Sequence, residues 1–169
     1  MNLNFLFLMG FVNWLHLFAT VIWIGGITTN FLVLLPSMGK VLDPPNMGKL
    51  MGAIMKRFRV LIYISIGVLI ITGIFMNIFN KNYQGFMRFG NTWTVLTLIK
   101  HILTIFFIIL AIYIFECLFP KLSRLTKKGP SPDLSKFQKL QLNLLITSFI
   151  LGIIILFLTG IITAISSSF

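Results

Sequence analysis

Four long apolar runs separated by short polar connections constrain this chain more than any other feature. They lie at approximately 7–35, 58–80, 92–119 and 139–165. A helix crosses the hydrocarbon core of a bilayer with about 20 apolar residues, so each run is long enough to span. Only 10% of the 169 residues are charged, against roughly 25% in soluble domains. The expected fold is all-α: an integral membrane four-helix bundle occupying 1–169 as one membrane domain.

The charges set an orientation. Fourteen Lys and Arg face three acids, Asp43, Glu116 and Asp133, for a net charge of +11. A balance this basic can signal nucleic acid, but these cations cluster between apolar runs. The bilayer is therefore the expected partner, with no nucleic acid. Lys40, Lys49, Lys56, Arg57 and Arg59 fall in the first connection or the start of the second run. Lys121, Arg124, Lys127, Lys128, Lys136 and Lys139 flank the third connection, while the middle one has only Lys81 and Arg88. The positive-inside rule puts the first and third connections in the cytoplasm of a cytoplasmic-membrane protein, with both termini outside. The start, MNLNFLFLMG, lacks the basic region of a signal peptide and is expected to remain as a helix. Cys117 is the only cysteine, so an intrachain disulfide and a cysteine zinc site are excluded.

Pro36 and the DPPN turn (43–46) are expected to end the first run, with Asn46 as a helix cap; Asp133 or Ser135 is the expected cap of the fourth. The two halves echo each other. LIITGI (69–74) recurs as LFLTGI (156–161). Thr72 and Thr159 are 87 residues apart, as are Gly73 and Gly160, and His16 and His101 are 85 apart. A helical hairpin occurring twice in one orientation implies a pseudo-twofold axis along the membrane normal.

That axis bears on the only two histidines. His16 and His101 each lie about nine residues into a run that starts outside, roughly 13 Å from the outer edge. Two imidazoles at one depth on different helices suit a single b-type haem with bis-histidine ligation. Gly73 and Gly160 would allow close approach of the ring edge, and Thr72 and Thr159 would act behind the ligands. Trp14, Phe18, Trp23 and Phe106 are available to pack the ring. Lys100 and Arg88 are candidates for propionate partners, and Lys100 for axial coordination in place of His101. The competing readings are interhelical hydrogen bonding by the histidines, snorkelling by Lys100, and a transition-metal or proton-relay site. Thr94, Thr97, His101 and Thr104 form one polar helical stripe. Met47, Met51 and Met55 recur every four residues, as copper ligands or as the apolar side of an interfacial helix. Glu116 is expected at the surface or paired with Lys121. No nucleotide-binding loop, zinc-protease motif or nucleophile elbow is present.

The stretch WLHLFATVIWIGG, with His16, Trp23, Gly25 and Gly26, resembles the CopD-like copper-resistance membrane domains and the HemJ-type protoporphyrinogen oxidases. LIKHILTIFFIILAIYI (98–114) and the two TGI segments extend the resemblance to most of the chain. The HemJ resemblance implies haem at His16, a functional lysine at Lys100 and an oxidase of protoporphyrinogen. The CopD resemblance implies copper transport. From the residues, the expected function is electron transfer through one haem b held between His16 and His101. The other site residues are Lys100, Thr72, Gly73, Thr159, Gly160 and Trp23. The expected setting is a larger redox complex or a homo-oligomer.

Overall fold

The structure, a computed structural model, describes residues 2–83, 85 and 90–167, which form helices joined by short turns with no strand among them. Helix α1 is Leu3–Val41, α2 is Pro44–Ile78, α3 is Thr92–Lys128 and α4 is Pro132–Ser167. All four are long and apolar enough to cross a membrane. At 35 to 39 residues each is roughly 53 to 58 Å long, well beyond about 30 Å of hydrocarbon. The surplus falls chiefly at the end that carries the basic connections. Large apolar side chains point outward along every helix: Phe7, Val21, Ile71 and Phe157 are each about 70% exposed. Such a surface suits lipid and not water.

Helix α1 packs along α2 and α3 along α4, which makes two hairpins. They meet where α1 touches α4 and where α2 touches the last turns of α3, Phe119–Lys128. Helices α1 and α3 therefore stand diagonally across the bundle. Between them Trp23 stacks on Phe107, ring centroids 4.6 Å apart and nearly parallel. Both are almost fully buried, and Gly152 of α4 leaves room beside the Phe107 ring.

The ends differ from the sequence expectation in instructive ways. Asn46 does not cap α2: Asp43 holds the cap position, Pro44 starts the helix, and the Asn46 amide donates back to Asp43 Oδ1. Proline has no N–H to satisfy, so it can open a helix one residue past the cap. Neither Asp133 nor Ser135 caps α4, because Ser131 Oγ accepts from Leu134 N. Asn91 caps α3 through Thr94 N, and Gly129, at φ 94°, ends it.

Pro36 does not end α1. The helix widens into a π turn over Asn30–Leu34 and continues through Leu35–Val41. The same occurs in α3, where Tyr113–Leu118 is a π turn and Pro120 follows it. A proline inside a helix clashes with the carbonyl four residues back, here that of Leu32 or Glu116. A widened turn carries that carbonyl away. Pro36 and Pro120 are 84 residues apart, close to the offset of the histidines.

The methionine line also lands elsewhere. Met51 and Met55 are buried in the core together with Met38, and α2 is one helix from Pro44 onward, without a separate interfacial segment.

Candidate functional site

A polar side chain within a bundle that faces lipid is costly unless it is paired. In the half of the bundle away from the basic end, one histidine is paired across two helices. His16 Nδ1 is 2.7 Å from Thr72 Oγ1. Thr72 is buried, and its hydroxyl donates to the Val68 carbonyl at 2.6 Å. A hydroxyl carries one proton. With that proton on Val68, Thr72 Oγ1 accepts from His16 Nδ1–H, and in the neutral ring Nε2 keeps the lone pair. The sequence supplies the rest of the cradle: Gly73, next to Thr72, lies under the His16 ring, with its Cβ position 3.5 Å from Cε1.

His101 and Lys100 approach this point from the diagonal helix, and all three groups lie within electrostatic reach of one another. Lys100 is half-buried, with no ion-pair partner among the described residues. The acids are remote, all near the basic connections: Asp43 and Asp133 flank helix starts, and Glu116 lies in the π turn of α3.

The second hairpin does not repeat the cradle. Thr159 donates to the Ile155 carbonyl in its own helix and reaches no histidine. Gly160 is exposed, with open space where a Cβ would stand. The duplication thus brings Thr72 and Gly73 to a histidine and leaves Thr159 and Gly160 away from one. Trp23 lies two turns further into the bundle than His16, as the stacking partner of Phe107 and not beside the histidines. Trp14, Phe18 and Phe106 turn outward; Trp14 and Phe18 extend a stacked ladder from Phe11 along the outer face of α1. Arg88 lies outside the described residues. Glu116 pairs with Arg59 at 2.9 Å and accepts from the Tyr63 hydroxyl at 2.6 Å. Its expected partner Lys121 instead lies over the Phe137 ring.

Several buried polar atoms have no partner among the described residues: Trp93 Nε1 and Thr97 Oγ1 in the first turns of α3, Asn77 Oδ1 at the end of α2, and Trp23 Nε1 and Asn30 Oδ1 deeper in α1. Thr97 was visible in the polar stripe of α3. Asn30 was not, because a lone amide at the end of an apolar run reads as a boundary. It sits where the π turn begins, and with Trp23 and Ser148 it lines a cavity of about 50 Å³. Unsatisfied atoms of this kind mark where water or a polar guest would be held.

Among the described residues no group of three His, Cys, Asp or Glu side chains converges. The donor set is two imidazoles, too few for a closed four-coordinate zinc site. As donor types, imidazole nitrogens suit haem iron and soft ions such as Cu(I).

The family model for CopD, copper resistance protein D, matches residues 52–162, about two thirds of the chain. Thr72, Gly73, Lys100, His101, Thr159 and Gly160 fall within that stretch, whereas His16 and Trp23 precede it. No curated protein and no solved structure gives a significant match.

Proposed function

The chain belongs to the copper resistance protein D family, and from that premise we propose that it carries copper ions through the membrane, with His16 Nε2 and His101 as nitrogen donors in the bundle. One observation supports this reading above the others: the Thr72 hydroxyl, committed to Val68, holds His16 as the Nδ1–H tautomer. That leaves Nε2 as a metal donor, and a hydrogen bond to the far ring nitrogen is the usual support of a metal-binding histidine. No acid is near enough to trap the ion, which suits passage better than storage.

The test is uptake of Cu(I), or of Ag(I) as a redox-inert probe, into vesicles that hold the purified full-length protein. Wild type is expected to exceed empty vesicles, and His16→Ala and His101→Ala each to return to background. Unchanged uptake in both variants would overturn the assignment.

A second reading rests on the same two imidazoles, which stand on diagonal helices at one depth. His16 and His101 would hold one haem b, with Lys100 near its propionates, and the haem would supply one-electron transfer. The oxidase reading differs in needing Lys100 for conversion of protoporphyrinogen. An absorption spectrum separates these readings from copper carriage: a six-coordinate haem band that is lost in both histidine variants would favour the second.

A further inference from the structure

At the basic end, well away from the histidines, α2 and the last turns of α3 enclose a cleft of about 330 Å³. Lys56 and Arg59 enter it from α2, and Arg124 and Lys127 from α3. Within each pair the residues are three apart, so each helix presents both cations on one face. Met55 and Phe115, both buried, and Phe119 line the cleft beneath them. No carboxylate lines it among the described residues. Glu116, the nearest acid, takes one Nη of Arg59 and leaves that guanidinium's other donors unused.

Four cations around one small cleft repel each other, and an anion seated among them would relieve that repulsion. The apolar floor narrows the choice of anion. A free phosphate gains nothing from Met55 and Phe115, whereas a phospholipid sets its glycerol and first methylenes there and its phosphate among the cations. The cleft also lies where the apolar runs give way to the basic extensions, which is the level of the headgroups.

We propose that this cleft binds the phosphate headgroup of an anionic phospholipid. Arg59 and Arg124 grip the phosphate oxygens, and Lys56 and Lys127 supply charge around it.

The test uses the full-length protein reconstituted in phosphatidylcholine vesicles containing a minor fraction of phosphatidylglycerol. It is then extracted into mild detergent, and its bound lipid is counted by native mass spectrometry. Wild type is expected to retain one phosphatidylglycerol per chain in preference to phosphatidylcholine. The double variant Arg124→Gln/Lys127→Gln should bind it about thirtyfold more weakly. Lys128→Gln/Lys139→Gln, which removes the same charge outside the cleft, should bind it as wild type does. Equal retention by the cleft variant, or equal loss in the control pair, would overturn the proposal. So would displacement of the lipid by millimolar inorganic phosphate, because that marks a site for a free anion.

Discussion

At the scale of single residues, the two halves of the duplicated pattern are chemically unequal. Thr72 and Thr159 occupy matching places in the sequence, yet only Thr72 Oγ1 meets an imidazole. Thr72→Val keeps the shape of the side chain and removes the acceptor that fixes His16. Silver affinity, measured by titration of the purified protein, should fall about tenfold to a hundredfold. Thr159→Val should leave it unchanged; equal losses would mean that Thr72 acts only as packing. Lys100 separates the two readings of the site by sign. A cation bound between the histidines feels its ammonium as a like charge, so Lys100→Gln should tighten silver binding by about tenfold. If the guest is a haem whose propionates lean on Lys100, the same change should loosen it. The histidines, Lys100 and Thr72 were all legible in the sequence because ionisable or repeated polar residues stand out in an apolar run. Which threonine bonds a histidine was not legible, because it depends on helix rotation, and the repeat offsets differ by two residues between the histidines and the threonines.

At the scale of the element, the two π turns explain how prolines sit within membrane helices without ending them. The apolar runs showed that four helices exist and roughly where each crosses. They did not show that α1 passes through Pro36, because a proline at the end of an apolar run reads as a stop. A π turn accommodates one extra residue, and one residue rotates everything beyond it by about 100°. Two single deletions in α1 test this. Val21 and Val33 are both exposed valines, 68% and 54%, and only Val33 lies in the π turn. Deleting Val33 should close the turn to an α-helix and keep His16 in register, so silver binding survives. It should also bring Pro36 back against the carbonyl four residues earlier, at about 3 kcal/mol in denaturant unfolding; adding Pro36→Ala should recover most of that. Deleting Val21 should rotate His16 away from Thr72 and abolish binding. If both deletions behave alike, the π turn does not set the register. The stacked Trp23 and Phe107 belong to the same scale. In lipid the separated helices stay in an apolar solvent, so packing is what a substitution here removes. Trp23→Ala should destabilise the bundle by on the order of 2 kcal/mol through the cavity it leaves.

At the scale of the whole molecule, charge and duplication combine to give the bundle two different ends. Of 14 basic residues, 11 lie in or beside the first and third connections. The surplus helix length carries them past the apolar zone, and there they form the cleft between α2 and α3. The opposite half holds the histidines, Lys100 and a set of unsatisfied polar atoms, with no carboxylate among its described residues. A cation moving between the ends would leave a site of imidazole donors, pass the Trp23–Phe107 stack and emerge among positive charges. Such a path favours movement toward the histidines unless an anion masks the basic end, and a phospholipid phosphate in the cleft would do so. On the proposed copper reading, the end that faces the cytoplasm would decide the direction of carriage. The positive-inside rule puts the basic end there. Cys117 is the only native thiol, so a Cys117→Ser background allows single reporters. A membrane-impermeant maleimide should label Lys81→Cys in intact cells and Lys128→Cys only after lysis. The reverse labelling would put the histidine half toward the cytoplasm, turn the cleft to the outer leaflet and invert the direction of copper movement inferred from the charge asymmetry.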